Sequence, residues 1–99
     1  MIISIDLPEE IKKDISIATE ILMREGCKEV YIFGSLVEGV FSDSSDIDLA
    51  IIGLEKKKYF KVYGELLEKL KRPIDLVGLD YDTKFSKKIK EIGKLTRVA

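Results

Sequence analysis

The chain has 99 residues, of which 35% are charged and 45% hydrophobic, and its formal net charge is −1. This length suits one domain, which we predict to span residues 1–99, and leaves little room for a separate substrate-binding domain. The near-neutral charge gives no overall basic field for direct nucleic-acid binding, and no apolar run approaches the roughly 20 residues of a membrane span.

Missing and rare residue types narrow the possible chemistry further. The chain has no histidine and a single cysteine, Cys27. His-based general-base catalysis and typical zinc sites are therefore excluded, and no internal disulfide can form. Asp6, Glu9 and Glu10 interrupt the first apolar residues, which do not resemble a signal peptide. We expect a cytoplasmic protein whose chemistry depends on carboxylates, hydroxyls and bound metal.

The first predicted element is a helix over about residues 8–25. Its apolar residues recur at helical spacing and form one face: Ile11, Ile15, Ala18, Ile21 and Leu22. Asp6 and Glu9 resemble a capping box at its start, and Gly26 is placed to end it.

Further elements follow in chain order. Strands are predicted over residues 28–33, 46–52, 74–79 and 95–98, helices over residues 56–71 and 84–92, and a short helical start followed by a loop over residues 35–45. The predicted apolar side of the helix over 56–71 comprises Phe60, Tyr63, Leu66, Leu67 and Leu70. This order predicts an α/β or α+β fold, with helices packed on a small mixed sheet.

The strongest functional signal lies between Gly34 and Asp48. Gly-Ser follows an apolar strand, and ten residues separate Ser35 from the Asp-x-Asp that begins the next strand. Because side chains alternate along a strand, Asp46 and Asp48 project from one face, roughly 6.5–7 Å apart. Carboxylates held in this way suit magnesium, which takes oxygen ligands and substrate phosphates. Gly34 would let the backbone approach a phosphate, and Ser35 would offer a hydroxyl at a helix start.

A third carboxylate, Asp75, lies one residue into the third strand, in an apolar context. Such a group is costly unless it is paired, solvated or metal-bound. If the third strand lies beside the second, Asp75 joins Asp46 and Asp48, and two magnesium ions would relieve their mutual repulsion. Asp75 would then bind the metal nearer the attacking hydroxyl and help to remove its proton. Each signal alone has an ordinary structural explanation, and only their combination is specific.

These residues resemble the nucleotidyltransferase superfamily that includes DNA polymerase beta. The superfamily pattern of Gly-Ser, about ten residues, Asp-x-Asp and a later third acid is matched by Gly34, Ser35, Asp46, Asp48 and Asp75. The resemblance covers about residues 8–80, and the small size is similar to the minimal nucleotidyltransferase (MNT) branch. It implies magnesium-dependent transfer of a nucleoside monophosphate, usually from ATP, to an acceptor hydroxyl, with release of pyrophosphate.

The resemblance also implies site roles and a partner. Gly34 and Ser35 would bind the terminal phosphates, and Asp46 and Asp48 would hold both metal ions. Minimal members are commonly encoded beside a small all-helical HEPN protein, so the resemblance implies an antitoxin that adenylylates a tyrosine of a HEPN toxin. The sequence does not determine which nucleotide is used or what accepts it. The oligomeric state also stays open, because no apolar stripe stands out as surplus to the core.

The run after Gly-Ser departs from the family pattern. Members often carry basic residues where this chain has Leu36 and Glu38. A basic residue would offset triphosphate charge, and Glu38 would oppose it if it faced the ligand. Glu38 thus favours a second hypothesis, an antitoxin that neutralises its HEPN partner by binding alone, whereas the three acids favour an enzyme. A third hypothesis, a small-molecule transferase of the antibiotic-modifying kind, is disfavoured by the expected lack of a second domain.

Overall fold

The computed structural model describes residues 6–39, 46–92 and 94–99, and its elements follow the predicted order. The helices are α1 (Glu9–Arg24), α2 (Ser35–Glu38), α3 (Tyr59–Lys69) and α4 (Lys84–Ile92), with a 3-10 turn (Lys56–Lys58) before α3. The strands are β1 (Glu29–Phe33), β2 (Ile47–Ile52), β3 (Ile74–Gly78) and β4 (Thr96–Arg97). Most of the predicted loop after Gly-Ser, at residues 40–45, and Gly93 lie outside the described residues.

The sheet is mixed, with the strand order β3-β2-β1-β4. β1 pairs antiparallel with both β2 and β4, whereas β2 and β3 run parallel. The register places Phe33 opposite Asp48, and Asp48 opposite Asp75. The predicted fold class, helices on a small mixed sheet, is therefore confirmed.

One face of the sheet carries the main core and is covered by α1 and α3. The buried side of α1 is the predicted one and comprises Ile11, Ile15, Ala18, Ile21 and Leu22. From β2, the alternate residues Ile47, Leu49 and Ile51 point into the same core, as predicted. None of the described helices combines the length and apolar character that a membrane crossing requires.

The opposite face of the sheet carries both a smaller core and the acidic residues. Ala50 of β2 and Val77 of β3 pack there with Ile89 of α4. Asp48 precedes Ala50 by two residues and Asp75 precedes Val77 by two, so both acids project from this face. The face is thus apolar where α4 packs and polar at the end where the two strands begin.

The start of α1 corrects one prediction. Its N-cap is Pro8, and no side chain makes a capping hydrogen bond there. Because the helix begins at Glu9, Asp6 lies too far before the N-cap for a capping box, and that prediction is wrong. Gly26 adopts a φ of +98° just after the helix and ends it as predicted.

The apolar side of α3 is rotated relative to its prediction. Val62 and Leu66 are fully buried, whereas Phe60 is 84% and Leu67 51% exposed. Packing against α1 and the sheet selects the side that also carries Tyr59, and leaves the neighbouring side in solvent. Phe60 and Leu67 therefore form an apolar strip outside the core, contrary to the expectation that no such surplus exists.

Candidate active site

Asp48 is the centre of the candidate site. It is partly buried in β2, between Phe33 of β1 and Asp75 of β3. Burial raises the pKa of the Asp48 carboxyl to about 6, and the charge of Asp75, a hydrogen bond with Asp75 and the charge of Asp46 act in the same direction. Negative charge is therefore concentrated around one carboxyl group, which favours binding of a proton or a cation.

Asp75 lies beside Asp48, as the site prediction required. The parallel pairing of β2 and β3 sets the two residues side by side on one face of the sheet. Asp75 is exposed because β3 is the edge strand. The third carboxylate is thus in contact both with Asp48 and with solvent, where a substrate can reach it.

Asp46 lies just before β2 and is exposed. In the described part of the chain, no three acidic or cysteine side chains converge into one group able to hold a metal ion. Asp48 and Asp75 form the close pair, and Asp46 acts on Asp48 through its charge. Magnesium is usually held by one or two carboxylates, with waters and substrate phosphates as its other ligands. The oxygen donors present here fit such an ion.

Gly34 brings the backbone directly against Asp48. A Cβ atom at residue 34 would overlap Oδ2 of Asp48 and lie 3.2 Å from its Cγ. The φ of Gly34 is +73°, a conformation that residues with a Cβ rarely adopt. Its carbonyl accepts the N–H groups of Val37 and Glu38, both at 3.1 Å, and so closes the single turn of α2. The Gly-Ser turn and the Asp-x-Asp strand are therefore in direct contact.

The residues after Gly34 differ in what they do. Ser35 begins α2 as expected, but its side chain is outside the described part of the chain. Leu36 is 2% exposed and belongs to the main core. Its difference from the family pattern therefore has a packing reason. Glu38 is exposed on the same turn, where its charge can act on a ligand.

A pocket of about 340 Å³ lies at the outer edge of β3, next along the strand from Asp75, and sequence reasoning missed it. Its lining residues are Tyr59, Leu76, Val77, Gly78, Tyr81 and Thr83. A Cβ on Gly78 would lie 2.6 Å from Cγ of Tyr81, so the absence of a side chain lets the ring rest on β3. A glycine inside an apolar strand was the available signal, since it often marks such a close approach.

Tyrosines also close the outer edge of β3. The hydroxyl of Tyr59 donates to the carbonyl of Leu76, and that of Tyr63 donates to the carbonyl of Ile74 at 2.8 Å. The carbonyl of Gly78 accepts a hydrogen bond from the backbone N–H of Tyr81, at 3.1 Å. Alternate residues of a parallel strand point their backbone groups away from the neighbouring strand, and these three carbonyls are of that kind. The edge is therefore a poor template for an added strand.

The sequence matches the family described as polymerase beta, nucleotidyltransferase, over residues 9–96. This match includes every residue of the candidate site. No curated protein matches the sequence significantly.

Solved structures with a similar fold include chains from toxin–antitoxin complexes. One, from a toxin–antitoxin crystal structure with AMP-PNP, gives a TM-score of 0.65 at 21% identity and covers 87% of this chain and 70% of that chain. Another, from the MntA–HepT toxin–antitoxin, gives 0.62 at 18% identity, with 87% and 69% covered. A candidate minimal nucleotidyltransferase gives 0.65 at 19% identity, with 97% of each chain covered. At these identities the similarity establishes the fold.

Proposed function

Because this chain belongs to the polymerase beta nucleotidyltransferase family, we propose that it transfers a nucleoside monophosphate, AMP from ATP, to an acceptor hydroxyl with the help of magnesium. The observation that carries this proposal is the pairing of Asp48 with Asp75 directly beside Gly34. The carboxylates of Asp48 and Asp75 therefore lie close to a turn whose first residue, Gly34, has no side chain. This combination suits a polyphosphate that chelates magnesium, because the carboxylates can bind the ion and the glycine lets the backbone approach the phosphates.

The position of each residue supports a role. Asp46 and Asp48 would hold magnesium together with phosphate oxygens of the nucleotide. Gly34 and Ser35 would bind the terminal phosphates, where the backbone can approach closely. Asp75 would bind a second ion and accept the proton of the acceptor hydroxyl. Magnesium, when bound, offsets the charge of the polyphosphate and makes a bound hydroxyl easier to deprotonate.

The proposed reaction is an in-line displacement at the α-phosphorus. A bond forms between the acceptor oxygen and phosphorus while the bond from phosphorus to the leaving pyrophosphate breaks. The acceptor proton passes to the carboxylate of Asp75, which is exposed and can release it to water. The products are the nucleotidylated acceptor and pyrophosphate.

The proposal extends to a role as an antitoxin, with a HEPN toxin as partner and acceptor. Support comes from the structural neighbours, since both toxin–antitoxin structures described above, one of them with AMP-PNP, contain a chain of similar fold. A cytoplasmic location is part of this proposal. Cys27 is a free and buried thiol, which is compatible with a reducing compartment.

An antitoxin that acts by contact alone is the second candidate, and Glu38 favours it. This exposed carboxylate lies on the turn that begins with Ser35. There it would repel a triphosphate and weaken nucleotide binding. A protein with such a weakened site could still block its partner.

The test is transfer of label to a helical HEPN protein, which the proposal expects to be encoded beside this chain. The protein, magnesium and the partner are incubated with ATP labelled at the α-phosphate, and in parallel with ATP labelled at the γ-phosphate. We expect label on the partner from the first nucleotide only, since AMP is transferred. Asp46→Asn and Asp48→Asn should each abolish magnesium-dependent ATP binding and transfer, while circular dichroism shows an intact fold.

Asp82→Asn is the matched control, because Asp82 is an exposed acid in an ion pair with Lys87. It should transfer like the wild-type protein. Wild-type ATP binding and transfer in both site variants would show that the metal ligands are wrongly assigned. No transfer by the wild type, with a tight complex still formed, would support the contact-only antitoxin.

A further inference from the structure

We infer that the pocket beside Asp75 receives an aromatic side chain of the acceptor protein and so positions the acceptor hydroxyl. This inference depends on the transfer reaction proposed above and adds the place on this chain where the acceptor protein docks. It follows from the direction of the reaction, the place and lining of the pocket, and the exposed strip on α3.

The direction of the reaction fixes the side on which the acceptor enters. In an in-line displacement, the attacking oxygen and the leaving pyrophosphate lie on opposite sides of the phosphorus. Gly34 follows β1, Asp48 is on β2, and Asp75 is on β3, and the sheet places these strands in that order. With the terminal phosphates at Gly34, the acceptor must approach from the side of Asp75.

The pocket lies on that same side. It lies at the outer edge of β3 and is lined from both faces of the sheet. Val77 follows Asp75 by two residues on the same face, roughly 7 Å along the strand, whereas Tyr59 and Leu76 belong to the opposite face. The volume of about 340 Å³ is sufficient for a ring side chain, since an apolar cavity of about 150 Å³ can hold benzene. A side chain seated there leaves its neighbouring residues within reach of Asp75.

The lining favours an apolar ring over a nucleobase. The hydroxyl of Tyr59 donates to the carbonyl of Leu76, and that of Tyr81 donates to the carbonyl of Leu54. The hydroxyl of Thr83 accepts the N–H of Ser86 at the start of α4. Each of these hydroxyls already makes one hydrogen bond, and the rest of the wall is formed by Leu76, Val77 and Gly78. A wall of this kind suits an apolar ring better than a base, whose edge carries several polar atoms that each need a partner. The closed edge of β3 likewise favours a side chain over an added strand.

An exposed apolar strip continues from the pocket over α3. The ring of Phe60 packs edge-on against that of Tyr59, with 5.3 Å between the centroids, and Phe60 is 84% exposed. Leu67, two turns along the same helix, is 51% exposed. Exposed aromatic groups next to a pocket are typical of the centres of protein interfaces. A net charge of −1 gives no general attraction for a nucleic-acid acceptor.

The pocket can be tested directly by NMR on the full-length ¹⁵N-labelled protein. The probe is N-acetyl-L-phenylalaninamide, with N-acetylglycinamide as the probe without a side chain. We expect saturable shifts of the amides of Leu76, Val77 and Gly78 with the first probe and none with the second. Absence of such shifts up to the solubility limit of the probe would overturn the inference. So would stronger shifts of the same amides by adenosine, which would make the pocket a base site.

The role of the exposed strip next to the pocket is tested in the transfer reaction with Phe60→Ala. This variant is expected to fold because the Phe60 side chain is largely exposed. With the proposed HEPN partner as acceptor, we expect about a fivefold rise in the KM for the partner, with the Kd for MgATP unchanged. Met23→Ala is the matched control, since Met23 is 44% exposed on α1. An unchanged KM for Phe60→Ala, with normal MgATP binding and transfer, overturns this inference alone. Failure of the wild type to bind MgATP overturns the proposed function itself.

Discussion

Gly34 and Asp48 are so close that a Cβ atom on residue 34 would overlap a carboxylate oxygen of Asp48. The contact joins the two ends of the motif that the sequence separates by a loop. It also explains why a glycine is needed here, since both the positive φ and the lack of space exclude a side chain. The position of the Asp48 carboxylate therefore depends on the backbone of the Gly-Ser turn.

Gly34→Ala should impair both stability and nucleotide binding. The unfavourable φ alone costs about 1–3 kcal/mol, and displacement of the Asp48 carboxylate adds to it. Gly26→Ala is the matched control, because Gly26 also has a positive φ but a Cβ added there would meet no atom within 4 Å. We expect urea denaturation to show a larger loss for Gly34→Ala, and calorimetry to show lost MgATP binding in this variant alone. Equal losses of stability and intact binding would contradict the contact.

The stability of the protein should depend on the ionisation of Asp48. Its pKa is about 6 in the folded protein and about 3.9 in an unfolded chain, so the folded state binds the proton more tightly. The resulting stabilisation is fully present below about pH 4 and is lost as the pH rises through about 6. Asp48→Asn should therefore increase the free energy of unfolding at pH 8 by about 1 kcal/mol after allowance for solvent screening, and raise Tm accordingly. At pH 4 the substitution should change little.

Thermal denaturation between pH 4 and pH 8 measures this difference, with Asp82→Asn as the control variant. If Asp48→Asn changed Tm by the same amount at pH 4 and at pH 8, the pKa of the Asp48 carboxyl would not be raised in the folded protein.

Magnesium should stabilise the protein in a pH-dependent way. A cation that binds only the folded state raises Tm, and its carboxylate ligands must be ionised. We expect a rise in Tm with MgCl₂ at pH 8 and a much smaller one at pH 5, where Asp48 is largely protonated. Sodium chloride at matched ionic strength controls for screening. The same rise in Asp48→Asn as in the wild type would place the ion elsewhere.

Ser35→Ala should weaken nucleotide binding without changing contact with the partner. Loss of one hydrogen bond to a charged phosphate costs about 1.5–3 kcal/mol, or more than tenfold in Kd. Ser16→Ala on the exposed side of α1 is the control. Calorimetry with MgATP and a pull-down of the proposed HEPN partner separate the two effects. Unchanged MgATP affinity would remove Ser35 from the phosphate site.

Glu38→Lys should increase the affinity for MgATP. The substitution replaces a charge that repels phosphate with one that attracts it, and the gain should shrink at high salt. Calorimetry at two salt concentrations measures this, with Glu20→Lys on α1 as a control for the change in net charge. No difference between the two variants would mean that Glu38 is distant from the triphosphate. The contact-only hypothesis would then lose its main support.

Local patterns were sufficient to predict most of the fold. Strand alternation correctly divided β2 into a side with Leu49 and a side with Asp48, because each side of a sheet meets a different environment. Helical spacing identified the buried side of α1, whose apolar face is continuous. On α3 the same reasoning failed at Phe60, because several faces were apolar enough and packing chose among them. The single domain over residues 1–99 stays a prediction.

The amino-acid sequence by itself determined which residue types could act, and on which side of its own strand each acid lies. Only the tertiary structure decided that β3 runs parallel to β2 in a register that sets Asp75 beside Asp48. It likewise decided that Tyr59 and Tyr81 enclose a pocket at that edge. The physical reason is that alternation is a local property of the backbone, whereas strand order and helix rotation are set by burial of the whole apolar surface.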